Sequence, residues 1–202
     1  MRYIIFGGAF DPIHMDHLNK SKQVLDITGY DRLLLMPTYK HVWGKKTANP
    51  VHRVSMICNA LFDFTDSRIW ISFFEIAHKI KGPTIDTLKM LFKSKYYSDM
   101  TSDDTAYLIG MDQAISINQW ERWEELTSLI PFIVMSRGQE PVEDMVKLEY
   151  NWFLKPPHQY VKVHGSGVSS SHIRLDAKNN KLKPKHLTPN TLTYIKEHEL
   201  YV

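Results

Sequence analysis

Short apolar runs bounded by turn residues alternate with longer segments of helical spacing along nearly the whole chain, and this alternation constrains the fold more than any other feature. Tyr3-Ile4-Ile5-Phe6 opens the series, and Arg32 to Met36, Arg68 to Phe74, Thr105 to Gly110, Pro131 to Ser136 and Tyr160 to Val163 continue it as strands. Helices are predicted through Leu18, Ser21, Lys22 and Leu25, then over Pro50 to Phe64, Thr84 to Lys95, Trp120 to Ser128, Ser170 to Ala177 and Pro189 to His198. Strands separated by helices cannot pair as hairpins. They line up in parallel, with the crossover helices covering the sheet. The expectation is therefore an α/β fold: an open, mainly parallel sheet with helices on both faces, forming a single domain over residues 1–202. Such a sheet binds ligands beyond the carboxyl ends of its strands, where the strand order reverses.

Composition narrows the class. A chain of 202 residues, 43% hydrophobic and 23% charged, is long and apolar enough to bury a core and is unlike a disordered tail. The net charge of +3 suits a small anionic substrate and would also allow weak nucleic-acid binding, though no stable nucleic-acid partner is expected. The single cysteine, Cys58, has no internal partner, which fits a reducing cytoplasm, and its neighbours Val54, Ile57 and Leu61 predict a buried thiol on a helix. No stretch is long and apolar enough to span a bilayer, and the first strand begins without a signal-peptide pattern, so a cytoplasmic protein is expected. Ser94 to Thr105 reads as a surface loop and Lys178 to His186 as a solvated basic connection. The sequence leaves a homo-oligomer open.

The turn after the first strand carries the chemistry. Gly7-Gly8-Ala9-Phe10-Asp11-Pro12-Ile13-His14-Met15-Asp16-His17-Leu18 runs from strand into helix. Free N–H groups at a helix start carry partial positive charge and favour a phosphate, and the glycines let the main chain approach it closely. His14 and His17, three apart, project from the same side of the first helical turn and would face one phosphate. The alternatives are a metal-binding pair, for which no third ligand is obvious nearby, or two exposed histidines beside an ordinary turn. A second segment, Gly167-Val168-Ser169-Ser170-Ser171-His172-Ile173-Arg174, also follows a strand and opens a helix. Its serines can cap N–H groups or face phosphate oxygens, and Arg174 offers a fork of donors one turn in. Taken alone, it would read as an N-cap with a surface arginine.

Together these segments resemble the nucleotidyltransferase superfamily, and Gly-Gly-Ala-Phe-Asp-Pro-Ile-His looks most like the bacterial nicotinate-mononucleotide adenylyltransferases. The second segment resembles the superfamily's Ile-Ser-Ser-Thr-x-x-Arg signature, with valine and serine replacing its first and fourth letters. One departure stands out: Asp16 occupies a position where the family has glycine, and it is expected to point away from the site. Gly110-Met111-Asp112 with Trp120 and Trp123 resembles the family's Gly-x-Asp segment and downstream tryptophan, and Gly82 to Leu88 resembles the segment whose first threonine, here Thr84, seats the mononucleotide. Trp123 reads instead as helix packing. Arg137 falls where the family has an arginine, and Leu187-Thr188-Pro189 with Leu192-Thr193-Tyr194-Ile195 resembles its ending. The loop Met36 to Lys46 keeps a histidine and lysines of the family's basic loop at altered spacing, which makes His41 and Lys45 candidate phosphate contacts; a solvated charged loop is the alternative.

The resemblance implies a Rossmann-like fold and adenylyl transfer from ATP to nicotinate mononucleotide within NAD biosynthesis, with Mg²⁺ accompanying the ATP and no protein-held metal. It assigns ATP to Gly7, Gly8, Ala9, Phe10, His14, His17, Gly110, Asp112, Ser169, Ser170, Ser171 and Arg174, of which His14, His17 and Arg174 would be catalytic. The mononucleotide falls to Thr84, Asp112, Trp120 and Arg137. Rivals are nicotinamide mononucleotide, phosphopantetheine or cytidylyl transfer, a class I aminoacyl-tRNA synthetase fragment or RNA-binding relative, and a nucleotide-binding protein without catalysis.

Overall fold

Alternate residues of one strand divide between two apolar layers, and that division organises the whole molecule. In the computed structural model, which describes residues 1–40, 44, 46–136 and 151–202, the strands are β1 (Tyr3–Gly8), β2 (Arg32–Pro37), β3 (Ile69–Ile71), β4 (Thr105–Gly110), β5 (Phe132–Met135) and β6 (Gln159–Val161). They form one sheet in the order β3-β2-β1-β4-β5-β6. Every pairing is parallel, so the sheet is wholly rather than mainly parallel among the described residues.

Ile4, Phe6, Leu33, Leu35, Leu108 and Ile133 point to one side. There they meet α1 (Met15–Thr28), α2 (Pro50–Asp63), α7 (Ser170–Lys178) and α8 (Pro189–Glu197) through Leu18, Met56, Ile173 and Ile195. Ile5, Leu34, Tyr107, Ile109 and Val134 point to the other. They are covered by α4 (Thr84–Phe92), α5 (Met111–Ile115) and α6 (Trp123–Leu129) through Leu88, Ala114 and Leu126. A short helix, α3 (Phe74–Ala77), precedes α4. The period of two in strands produces this two-faced burial, as a parallel sheet requires.

The chain winds outward from β1 through α1 and α2 on one face, then crosses to β4 and winds the other way through helices on the opposite face. Right-handed crossovers force that change of face. The order therefore reverses between β1 and β4, and a crevice opens there beyond Gly8 and Gly110.

Several boundaries differ from expectation. The strand expected to run to Phe74 stops at Ile71, because Phe74 begins a helical turn that buries its ring and Glu75. The helix expected from Trp120 begins at Trp123, preceded by α5 and a 3-10 turn over Ile117–Gln119. The last strand is Gln159–Val161 rather than Tyr160 to Val163. The loop from Ser94 contains a 3-10 turn over Lys95–Tyr97, and the basic connection contains another over Pro184–His186. Cys58 is exposed, not buried. Arg53, Met56, Ile57 and Ala60 form the inward stripe of α2, and Cys58 falls beyond its edge. Among the described residues no helix is long and apolar enough to cross a membrane.

Candidate active site

The first turn is shaped from below by backbone contacts. A Cβ on Gly7 would lie 2.0 Å from Tyr107 Oη, so only glycine lets β1 pass the tyrosine of β4. Phe10, at φ 47, is buried between Phe6 and His17, with ring centroids 5.4 and 5.1 Å away. Arg53, fully buried on α2, donates to the carbonyls of Ala9 at 2.7 Å, Thr38 at 2.6 Å and Ala48 at 3.0 Å. One guanidinium thus ties the glycine turn to the loops after β2 and before α2. A buried arginine is tolerated where its donors find acceptors, and among the described residues this one's hydrogen-bond partners are all backbone carbonyls.

The paired histidines come together as expected. Their rings stack at 3.7 Å between centroids, 25° from parallel. The backbone N–H of His14, the N-cap of α1, donates to Nδ1 of His17 at 3.2 Å. Because Nδ1 accepts, the neutral His17 ring carries its proton on Nε2 and presents a donor outward. Burial lowers the pKa of His14 to about 4. Burial also holds His17 well below the ordinary histidine range, with the nearby His14 and Lys20 charges adding to it. At neutral pH both rings are therefore uncharged.

The second segment meets the first turn from the other end of the sequence. Ser169 caps α7, its side chain accepting from the His172 N–H at 3.2 Å. Ser170 Oγ donates to Pro12 O at 2.9 Å, and Arg174 donates to Asp11 O at 2.6 Å and to Ser171 Oγ at 3.1 Å. Asp11 accepts from Tyr201 Oη at 2.8 Å and from the Ala48 N–H at 3.2 Å. Asp16, expected to point away from the site, is instead part of the first cavity's wall. It is buried beside the cavity and accepts from the N–H and Oγ of Ser166, both at 2.9 Å, and from the Gly167 N–H at 3.1 Å.

Two cavities adjoin above this frame. The larger, 460 Å³, is lined by Gly7 to Asp11, His14, His17, Lys20, Gly110, Asp112, Gln113, Ser169, Ser170, Ser171 and Arg174. The other, 410 Å³, is lined by Thr38, Thr84, Tyr107, Ser116, Gln119, Trp120 and Glu121. Gly7, Gly8, Ala9, Asp112 and Gln113 line both. Cationic and imidazole groups gather in the first cavity. The second has none among its described lining, and the Trp120 ring stands edge-on to Tyr107, 6.5 Å away, as one of its walls. The first fits a polyphosphate and the second an aromatic ring with a polar attachment.

All the candidates for ATP thus line one cavity, and Thr84, Asp112 and Trp120 line the other. Trp123 packs on the core layer around α6. His41, Lys45 and Arg137 lie outside the described residues. Sequence reading missed Arg53, Tyr201, Lys20, Gln113 and Tyr107. Only Arg53 left a clear signal, a charged residue standing on the apolar stripe with Met56, Ile57 and Ala60. Among the described residues no three His, Cys, Asp or Glu groups gather to hold a metal ion.

The cytidylyltransferase-like family model matches residues 5–175, which takes in both segments that line the first cavity. The chain is 32% identical to the probable nicotinate-nucleotide adenylyltransferase of Enterococcus faecalis, over 98% of this chain and 83% of that one. It is 28% identical to the probable enzyme of the same name from Symbiobacterium thermophilum, over 100% and 95%. Among solved structures, the Plasmodium falciparum nicotinic acid mononucleotide adenylyltransferase complexed with NaAD superposes with a TM-score of 0.74, covering 100% of this chain and 98% of that one at 22% identity. At that identity the likeness is one of fold.

Proposed function

This chain belongs to the cytidylyltransferase-like family and, within it, to the nicotinate-nucleotide adenylyltransferases, and we propose that its adjoining cavities transfer an adenylyl group from ATP to nicotinate mononucleotide. The observation that carries this reading is the shared wall. Gly7, Gly8, Ala9, Asp112 and Gln113 border both cavities, so a mononucleotide phosphate in one reaches the α-phosphorus of ATP in the other. An oxygen of the mononucleotide 5′-phosphate forms the new bond to that phosphorus as the bond to the bridging oxygen breaks, and pyrophosphate leaves. Nicotinate adenine dinucleotide is the other product.

No protein nucleophile is needed, since the attacking phosphate is already an anion. The residues position the reactants in line and stabilise charge on the α-phosphate and the leaving group. His17 Nε2–H is assigned to the α-phosphate, with His14 beside it. Arg174 and the α7 N-terminus with Ser170 and Ser171 face the leaving pyrophosphate. Asp112 serves the ribose hydroxyls, and Trp120 stacks on the pyridine ring. Mg²⁺ enters on ATP as part of the substrate, held by phosphates and waters. The reaction calls for no membrane, and we place it in the cytoplasm.

The test is pyrophosphate release from ATP and Mg²⁺ with nicotinate mononucleotide, nicotinamide mononucleotide or phosphopantetheine at equal concentration. Release with nicotinate mononucleotide alone is expected. A preference for the amide would move the chain to the neighbouring pyridine-nucleotide activity, and silence with all three would overturn the reading.

A further inference from the structure

Asp16 is buried at the rim of the phosphate cavity, yet its carboxylate faces protein. Its hydrogen bonds go to Ser166 and Gly167, in the loop that leads into the capping serine of α7. Lys20 Nζ lies 3.9 Å from the same carboxylate. One face further along α1, Gln23 grips the same loop from its start, donating to His164 O and accepting from the His164 N–H, both at 2.8 Å. The fit leaves no spare room. A Cβ on Gly165 would lie 2.5 Å from both Asp16 Oδ2 and Lys20 Cε.

We propose that Asp16 is a positioning residue for the nucleotide phosphates, latching the 165–167 loop to α1 so that the N-terminus of α7 stands opposite His14 and His17. This rests on the adenylyl-transfer reading of the cavity. Two effects of the carboxylate oppose each other. Its negative charge repels phosphate, while the loop it fixes presents Gly167, Val168 and Ser169 to the same cavity. The charge is the smaller effect, because Lys20 and the three donors already answer it. Burial alone would raise the Asp16 pKa, but the bonds from Ser166 and Gly167 outweigh it and hold the carboxyl below its usual range. The latch is thus closed throughout neutral pH.

The experiment compares the wild type with Asp16→Ala, Asp16→Asn and Ser166→Ala. Direct calorimetry of ATP binding without mononucleotide and amide hydrogen exchange are measured on each. Asp16→Ala is expected to weaken ATP binding about tenfold, the loss of a charge-assisted contact, and to speed exchange at Ser166 and Gly167 by a similar factor. Asp16→Asn keeps an acceptor for Ser166 and is expected to fall between. Ser166→Ala, which leaves α1 intact, tests the latch from the loop side and shifts both readouts in the same direction.

Unchanged exchange at 166–167 in Asp16→Ala would show that no latch exists. Unchanged or tighter ATP binding with faster exchange would show that the latch does not position the phosphates. If Asp16→Ala does not fold, Ser166→Ala decides between the same outcomes. These readouts need no turnover, so failure of the wild type to release pyrophosphate would count against the reaction and leave the latch to be judged by exchange and binding.

Discussion

The hydroxyl of Tyr201 donates to the carboxylate of Asp11 at 2.8 Å, across 190 residues of sequence. Asp11 in turn holds the Ala48 N–H, and its carbonyl accepts from Arg174. The glycine turn that lines both cavities is therefore set by groups from three other regions of the chain. Burial, followed by the Asp11 charge, raises the Tyr201 pKa far above its usual value, so the hydroxyl stays a donor at every physiological pH. Tyr201→Phe is expected to loosen the Asp11 turn and lower kcat/KM for ATP by about tenfold to a hundredfold, the worth of one hydrogen bond to a charged group. Steady-state kinetics at varied ATP would check it, and a wild-type value would remove Tyr201 from the site.

His17→Ala should lose about a hundredfold to a thousandfold in kcat, as when one donor to a developing oxyanion is deleted. Its circular dichroism should match the wild type. Near-normal turnover would contradict the role given to Nε2.

Arg53→Met replaces the side chain at similar length but leaves the carbonyls of Ala9, Thr38 and Ala48 without their donor. A stranded acceptor costs about 1–3 kcal/mol when buried, and less at half-buried residues such as these, where water reaches the carbonyl. A marked fall in urea midpoint is expected, with activity falling in the folded fraction because Ala9 lines both cavities. Stability equal to wild type would show that these carbonyls find other partners.

The histidines make stability depend on pH with a definite sign. His14 falls from an ordinary 6.5 to about 4 on folding, so between those values the unfolded chain binds more protons. Its contribution is complete above pH 6.5 and is lost as pH falls toward 4, on the order of 3 kcal/mol for a shift of this size. Glu75 runs the other way. Burial raises its carboxyl to about 7, so its contribution grows as pH falls from there. The two overlap, and the informative quantity is the difference in unfolding free energy between wild type and His14→Gln across pH 4–7. That difference should shrink toward acid. A constant difference would mean that His14 titrates normally in the folded protein.

Gly7→Ala should destabilise the protein by about 1–3 kcal/mol through overpacking, because the new methyl meets Tyr107 Oη. Tyr107→Phe removes that oxygen but leaves the ring carbon 2.9 Å from the methyl. Thermal melts of the double variant should show partial recovery, and simple additivity of the two losses would argue against the contact.

The fold was legible because a parallel sheet writes itself as apolar runs spaced by helices. The positions of β1, β2, β4 and β5 and of most helices needed only that pattern. The ends were less so. Phe74 belongs to an apolar run by composition, but its ring is buried from a helical turn, and period alone does not separate the two. Cys58 sits among apolar neighbours in sequence and outside their stripe in space. The residues that line the first cavity were legible because most of them fall in two short segments. Asp11, Asp16 and Arg53 act on backbone groups, and Tyr201 on the Asp11 carboxylate, mostly far away in sequence, and no local pattern records which distant partner a side chain will find.

The separation of the two cavity-forming segments also has a meaning in time. During synthesis the histidine turn leaves the ribosome long before Ser166, Ser170 and Arg174, the groups that hold it in shape. A nucleotide stabilises only a state that can bind it, so bound ATP lends nothing to the early βα units of a growing chain. They must stand on their own packing until α7 has docked, and a nucleotide bound as proposed stabilises the fold only from that point.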